Sequence, residues 1–493
     1  MYYAHIREDG TTQSVAEHLR GTALRCEAFA AAFSEEKRGA LLGLSHDLGK
    51  NSQEFQKRLR GGPIVDHATA GALECEKVGE IFAGLCVSGH HGGLPDFGNR
   101  RDMAGDATYI GRLKKRMARK IPPYEWNEKL ECGIPMPEFR DSFELSFWIR
   151  MLYSCLVDAD YLDTEEFMNQ SVRPTYDSLP ELQRRFMAYI APWFPAKNQL
   201  NACRCQILEQ CLHAASEPKG IFTLTVPTGG GKTVSSLAFA LKHALEHHME
   251  RIIYVIPYTS IIEQNANVFR DILGDENVIE HHCNAQCDGS EETSDIQLRQ
   301  RLASENWDAP VVVTTAVQFF ESIYSNLPSS CRKLHNISNS VIVFDEAQMI
   351  PGAHLKPCTG AIANLVSRFG ATAVLCTATQ PVLDDLLRDF CPELRIKEIC
   401  PQVEDLFDKL QRVTYRDIGS LSNEALSERI AAEKQVLCIV NTRKMAQEIF
   451  TLLPKEGSFH LSTLMYPRHR TEILNVIRDR LAKRNICLPR NTL

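Results

Sequence analysis

The stretch Ile221-Phe222-Thr223-Leu224-Thr225-Val226-Pro227-Thr228-Gly229-Gly230-Gly231-Lys232-Thr233 decides the fold. An apolar, β-branched run ends in Pro-Thr and three glycines, and a helical apolar pattern, VSSLAFALKHALEH, follows. A glycine run between strand and helix lets backbone N–H groups wrap phosphate oxygens at the helix N-terminus. In this setting Thr228, Gly229, Gly230 and Gly231 form the cradle. Lys232 reaches the β/γ-phosphates of a bound nucleotide, and the Thr233 hydroxyl ligates Mg²⁺. The strict form of this loop wants a further glycine where Val226 stands.

Downstream, short apolar runs alternate with helical stretches: RIIYVIP (251–257), PVVVTT (310–315), SVIVFD (340–345) and TAVLCTA (372–378). Continuous apolar strands separated by helices indicate a parallel sheet covered on both faces. SVIVF delivers Asp345-Glu346-Ala347-Gln348 at a strand end, where Asp345 suits Mg²⁺ and Glu346 suits polarising the attacking water. Thr377-Ala378-Thr379 ends the next strand, where hydroxyls could couple nucleotide state to a bound strand. A second β/α series begins near Arg412, with RVTYRDI, QVLCIVN (435–441) and FHLSTLM (459–465).

Residues 1 to about 195 read differently. Apolar positions recur at helical spacing, as in Leu145 to Leu162, and the Pro-rich run Ala191 to Ala196 marks a linker. This region holds His18, His46-Asp47, Lys50, His67, His90-His91 and Asp160, with Asp158 competing for the last place. One histidine on an apolar helix is ordinarily a core residue. Imidazoles and carboxylates in this order can hold two divalent transition ions, with Asp47 as bridge, and so clamp a phosphodiester for in-line displacement. Lys50 adds charge near the phosphate.

The set PTGGGKT, DEAQ and TAT resembles a superfamily-2 helicase motor. The likeness extends to Tyr258 through Gln264 and to Thr314-Thr315-Ala316-Val317-Gln318. In such motors these two segments grip nucleic acid, which implies Thr259, Ser260, Thr314, Thr315 and Gln318 as contacts. The histidine–aspartate set resembles an HD-family phosphohydrolase. Joined, the two resemble the CRISPR-associated helicase–nuclease of type I systems, over nearly the whole chain. The resemblance implies an all-α HD domain over 1–195, a RecA-like α/β domain with a parallel sheet over 200–400, and a partial second RecA-like domain over 405–493. It implies His18, His46, Asp47, His67, His90, His91 and Asp160 as metal ligands, holding Mn, Fe, Co or Ni. It also implies ATP with Mg²⁺ at the motor. The partners it implies are single-stranded or R-loop DNA and the type I RNA-guided surveillance complex. Such an enzyme nicks the displaced strand, then reels and degrades it 3′ to 5′ with ATP.

Charge neither adds to nor removes from this reading. Lys+Arg is 55 against 62 Asp+Glu, which excludes a polycation but leaves room for a local basic patch. Arg112, Lys114, Lys115, Arg116, Arg119 and Lys120 form such a run, suited equally to tracking phosphates or to one solvated helix face. Arg204 and Gln206 stand at a plausible distance to meet the adenine. With 44% hydrophobic residues the chain is globular rather than disordered. The 17 scattered cysteines read as reduced thiols, and His281-His282-Cys283 with Cys287 reads as a loop rather than a zinc site. No apolar run approaches a membrane span and no secretory signal opens the chain, so a cytoplasmic protein without a membrane partner is expected.

A motor of this class needs late arginines, in a QxxGRxxR segment, to stabilise the transferring phosphoryl. That segment is not found, and 405–493 is shorter than the roughly 150 residues a full lobe takes. The second lobe is therefore read as truncated, with ATP binding expected and weak hydrolysis. Two alternatives stand beside the nuclease–motor reading: a binding module for DNA or the surveillance complex, and an HD phosphohydrolase of small nucleotides.

Overall fold

The computed structural model describes residues 1–117, 121–169, 173, 175–282, 295–377, 383–411 and 413–485. It divides into two units, Met1–Gln411 and Arg412–Leu493.

The first unit opens with a short antiparallel hairpin, β1 (Tyr3–Ile6) and β2 (Thr12–Ser14), in a region read from sequence as helical throughout. The hairpin is too short to show alternation, and Ala4 seats it against Val15, Leu19 and Leu48. Helices Val15–Ala30, Glu36–Ser45, Ala68–Lys77, Ile81–Gly89 and Ser142–Asn169 follow. The first is launched by a capping box, in which Ser14 accepts the Glu17 N–H and Glu17 accepts the Ser14 N–H. It lies tight on the second: a Cβ at Gly43 would stand 2.4 Å from the Ala23 Cα, so only glycine permits the approach. The long helix Ser142–Asn169 buries Trp148, Met151, Leu152, Tyr153 and Leu156 on successive faces, as a helix in the middle of a core must.

The second part of this unit is a seven-stranded, all-parallel sheet in the order β5-β6-β4-β7-β8-β3-β9. Its strands are β3 (Ile221–Thr225), β4 (Arg251–Ile256), β5 (Val278–His281), β6 (Val311–Thr315), β7 (Ser340–Phe344), β8 (Thr372–Thr377) and β9 (Ile396–Glu398). The edge strands β5 and β9 carry weak apolar signals and were not among the runs read from sequence. Alternate residues serve two cores. Phe222, Leu224, Ile252, Tyr254, Val341 and Val343 pack under the helices Gln199–Ala214, Lys232–Glu246 and Thr259–Leu273. Ile253, Val255, Ile342 and Phe344 share one continuous core with Trp148, Leu152 and Tyr153 of the long helix. The chain is thus a helical part plus a RecA-like α/β part, joined by a common hydrophobic layer.

The helix Leu179–Ile190 lies before the expected linker, yet Leu182, Phe186 and Ile190 enter the core against the sheet. Its apolar stripe is buried by the helices over the sheet rather than by the helical part. Likewise Val403–Leu410 belongs with the first unit, burying Leu406 and Leu410 there.

The second unit carries helices Asn423–Ala432, Arg443–Leu452 and Pro467–Asn485. The strands expected at RVTYRDI, QVLCIVN and FHLSTLM do not form among the described residues. A strand needs a neighbour for its N–H and C=O groups, and Leu437 and Ile439 stand 81% and 84% exposed with no paired strand among the described residues. Among the described residues no helix is long and apolar enough to cross a membrane, and the described cysteines are all free.

Candidate two-metal centre and nucleotide site

Four separated segments bring histidines around the buried Asp47, with His91 at the exposed edge. Helix Val15–Ala30 contributes His18, the end of Glu36–Ser45 contributes His46 and Asp47, the start of Ala68–Lys77 contributes His67, and the end of Ile81–Gly89 contributes His90 and His91. They form two groups that share Asp47: His18, His46, Asp47 and Asp160 in one, and Asp47, His67, His90 and His91 in the other. Within each group the nearest ligand atoms lie within 4.8 Å of one another. The two oxygens of Asp47 divide the work. Oδ2 faces His18 Nε2 and His46 Nε2, each at 3.3 Å. Oδ1 faces His67 Nε2 and His90 Nε2 at 3.3 Å and His91 Nε2 at 4.0 Å. Asp160 Oδ1 closes the first group at 3.4 Å from His18 Nε2 and 3.6 Å from His46 Nε2.

The outer nitrogens decide which lone pairs point inward. His46 Nδ1 meets the Gly43 carbonyl at 2.8 Å, His90 Nδ1 the Val87 carbonyl at 2.7 Å and His67 Nδ1 the Val65 carbonyl at 3.2 Å. A carbonyl only accepts, so each Nδ1 carries hydrogen and each neutral ring turns an Nε2 lone pair to the centre. The Nε2 atoms of His67 and His91 face each other at 2.8 Å, and those of His18 and His46 at 3.2 Å. The Nε2 lone pairs of His46, His67 and His90 thus converge on the Asp47 carboxylate, an arrangement that a cation suits. The fully buried Asp47 oxygens and His90 Nε2 also lack a properly directed hydrogen bond. The residues therefore fit divalent ions.

Without a cation, protons carry the charge. Burial alone would lower His18, but the carboxylates of Asp160, Asp163 and Asp47 outweigh it and raise it to about 10. Burial likewise opposes protonation of His46, which Asp47 and Asp160 raise to about 9. Burial works against the Asp47 carboxylate, yet Lys50, His46 and His67 hold it well below the usual range. His91 falls to about 3 through the charge of His90 and then burial. Lys50 Nζ, nearly buried, sits 2.6 Å from Asp47 Oδ2.

Asp158, the competitor for the last ligand place, faces away. Its oxygens accept from Arg332 Nε at 2.8 Å and Asn306 Nδ2 at 3.0 Å. Two residues went unread in the sequence. Asp163, one turn beyond Asp160, lies 2.8 Å from His18 Nδ1 and orients that ring; the i, i+3 spacing on one helix was the available signal. His5, on β1, stands edge-on to His18 with centroids 4.8 Å apart, and burial with the Lys50 charge lowers it to about 3. No local sequence pattern marks it.

In the α/β part the glycine-rich loop leaves β3 and enters the helix Lys232–Glu246. Gly231 sits at φ 87° as the residue before that helix, a left-handed position that favours glycine. Thr228 is exposed, Gly230 is buried, and Arg204 Nε donates to the Gly229 carbonyl at 2.9 Å, so Arg204 braces the loop. Lys232 Nζ pairs with Glu346 Oε1 at 2.9 Å, and Gln348 holds the other oxygen of Glu346 at 2.6 Å. Burial would raise Glu346, but Lys232 and Gln348 lower it; Asp345 is raised by burial against the pull of Lys232. Glu346 takes a left-handed backbone, φ 48°, at the end of β7.

The expected nucleic-acid contacts divide. Thr314 is fully buried and its hydroxyl donates to the His281 carbonyl at 2.8 Å, so it is a member of the sheet and not a grip. Alternation along β6 turns it inward. Thr315 caps the next helix, accepting the Gln318 N–H at 2.9 Å. The side chains of Thr259 and Ser260 lie outside the described residues, as do Ala378, Thr379, Cys283, Cys287, Arg119 and Lys120. In the basic run Arg112 donates to the Ser88 carbonyl, Lys114 to the Arg100 carbonyl at 2.7 Å, and Lys115 pairs with Asp66 at 2.6 Å. These three are committed locally, whereas Arg116 is exposed. His281 Nδ1 accepts from Trp307 Nε1 at 2.9 Å.

A model of the DEAD/DEAH box helicase family matches residues 205–386. The CRISPR-associated nuclease/helicase Cas3 of Haloferax volcanii is 28% identical over 88% of the chain and 56% of its own length. The chain therefore spans little more than half of the curated relative it matches. The fold is similar to the crystal structure of T. fusca Cas3, at 16% identity and a TM-score of 0.61, over 97% of this chain and 67% of that one. It is similar also to the AMPPNP form of that protein, at 16% identity and a TM-score of 0.52, over 80% of this chain and 52% of that one.

Proposed function

We propose that this homologue of the Cas3 nuclease/helicases cleaves single-stranded DNA at a two-metal centre and is fed by an ATP-driven motor, in type I CRISPR interference in the cytoplasm. The observation that carries the reading is Asp47: one buried carboxylate whose oxygens face separate imidazole groups, in the same unit as a phosphate loop. The ligands are His18, His46, Asp47 and Asp160 for one ion and Asp47, His67, His90 and His91 for the other. Bound Mn, Fe, Co or Ni supplies an activated water and neutralises charge on the scissile phosphodiester. The chain's own part is to aim the Nε2 lone pairs of His46, His67 and His90 by tying off their Nδ1 atoms, and to keep the Lys50 ammonium beside Asp47. Asp163 holds His18 in its tautomer.

In the motor Lys232 exchanges Glu346 for phosphate oxygens when ATP enters. That exchange frees Glu346 to orient water, while Asp345 and Thr233 would hold Mg²⁺. Thr259, Ser260, Thr315 and Gln318 stand at the C-terminal ends of β4 and β6, where nucleic acid would pass. An R-loop opened by an RNA-guided surveillance complex would present the displaced strand, drawn 3′ to 5′.

The test is cleavage of circular single-stranded DNA with Mn²⁺ and no ATP, beside Asp47→Ala. Cutting by the natural chain, lost in the variant, is expected. Folded, metal-loaded protein that leaves the circle intact but hydrolyses free nucleotides would replace this reading with small-nucleotide chemistry. Binding of the circle with neither reaction would leave a binding module.

A further inference from the structure

One short segment of the motor part, Ser325–His335, touches the supports of both candidate metal groups. It follows the helix Ala316–Tyr324, which starts where β6 ends. At its first end the Leu94 N–H donates to the Asn326 carbonyl at 2.9 Å. Leu94 follows the turn that carries His90 and His91, in which the Gly93 N–H returns to the Gly89 carbonyl at 2.8 Å. A Cβ on Gly93, at φ +96°, would stand 3.0 Å from the Asn326 carbonyl. At its other end Arg332, 3% exposed, donates to Asp158 at 2.8 Å. Asn306 donates to the second oxygen of Asp158 at 3.0 Å. Asp158 and Asp160 are two apart on one helix, roughly 200° around its axis, so one faces the motor and the other the histidines. One turn earlier Ser154 accepts the His335 N–H at 2.9 Å. The His335 ring stacks on Phe29, on the helix that carries His18, with centroids 4.3 Å apart.

We infer that Ser325–His335 is a positioning strap through which the motor part sets the metal affinity of the nuclease centre. Arg332 is a positioning residue: through Asp158 it fixes the rotation and depth of the helix bearing Asp160. The Asn326 carbonyl, through the Leu94 amide, fixes the His90–His91 turn. The two groups share Asp47, so their spacing depends on both ends of the strap being held. The inference rests on the two-metal reading above and extends it: the nuclease ligands are held in place by the motor part and not by the helical part alone.

The full chain is titrated with Co²⁺, whose visible absorption reports ligand number and geometry, while circular dichroism follows the fold. The natural chain is expected to take up two equivalents. Arg332→Met weakens one of them ten- to a hundred-fold, the usual effect of losing an outer-shell support, and changes its spectrum. Arg332→Lys, which keeps a cation beside Asp158, recovers most of the affinity. Gly93→Ala, pressed against the Asn326 carbonyl, weakens the other equivalent. Where Arg332→Met does not fold, Asn306→Ala removes the second bond to Asp158 and takes its place. Natural affinity and spectrum in these variants, whether or not their melting points fall, overturn the strap. Failure of the folded natural chain to bind Co²⁺ at all overturns the two-metal reading beneath it.

Discussion

Replacing Asp163 with alanine removes the acceptor that holds His18 in one tautomer. Asp163 lies 2.8 Å from His18 Nδ1, and it also accepts from Gln13 at 2.9 Å and Arg25 at 3.2 Å. Without it, His18 can move its hydrogen to Nε2, which is the atom that faces Asp47 and Asp160. A hydrogen there occupies the place of a cation. Outer-shell partners of ligating histidines are worth about 10–100-fold in metal affinity, or about 1.4–2.7 kcal/mol. Asp163→Ala should fall in that range, with the loss confined to one of two ions. Asp163→Asn keeps an acceptor but not the charge, and should lose about ten-fold or less. The fold should hold, because Arg25 retains Glu166 and Gln13 is half-exposed. The assay is Mn²⁺ competition against a fluorescent chelator, with the thermal midpoint measured alongside. An affinity for Asp163→Ala within about two-fold of the natural chain would refute the assignment of Asp163 as an orienting partner.

Other expectations can be checked in parallel. Gly43→Ala places a methyl 2.4 Å from the Ala23 Cα, so overpacking should cost at least about 1–3 kcal/mol and lower the thermal midpoint. A midpoint unchanged or raised in that variant counts against the close helix contact. Lys232→Ala should abolish binding of a fluorescent ATP analogue, while Glu346→Gln keeps or tightens it by freeing Lys232 from its 2.9 Å pair. Equal loss in both variants would contradict the exchange of Glu346 for phosphate. Acid should destabilise the chain, because the histidines held low, His5, His91 and His281 among them, outnumber His18 and His46, whose raised values add stability as pH falls. Burial lowers His335 to about 3 and His243 to about 4, so below the ordinary value of about 6.5 the unfolded chain binds protons that the folded one cannot. Stability is complete above that value and falls with pH towards 3–4, by about 2 kcal/mol per histidine at pH 5 at most. Urea unfolding at pH 7.5 and pH 5 measures this, and an equal or higher midpoint at pH 5 would contradict it.

The central sheet strands were legible because each is apolar on both faces and ends in a turn with its own chemistry. Residues 221–226, 251–257, 310–315, 340–345 and 372–378 all fall within a residue or so of observed strands. The edge strands β5 and β9 were not, since a short strand covered on one side lacks the continuous apolar run that marks a central one. The runs in 412–493 show the opposite case. Their composition favours strands, but a strand is made by its neighbour, and QVLCIVN has none in its unit among the described residues. Alternation also decided Thr314 against Thr315: adjacent hydroxyls on β6, one sealed in the sheet and one capping a helix.

By itself the sequence determined which chemistries are present. A glycine cradle with a following lysine and a later acidic pair is the donor set of a nucleotide site, and histidines beside aspartates are a donor set that suits divalent metal, because residue type and local spacing carry that information. Tertiary structure decided which of these groups meet. It turned Asp160 inward and Asp158 towards Arg332, although the two are near neighbours on one helix, because the helix is wedged between the histidines and the motor. It set Asp163 behind His18 across more than half the helical part, and it gave each oxygen of Asp47 its own ring of imidazoles. It also committed Arg112, Lys114 and Lys115 to carbonyls and a carboxylate that no sequence window contains. Such partners lie far apart along the chain, and only packing specifies them.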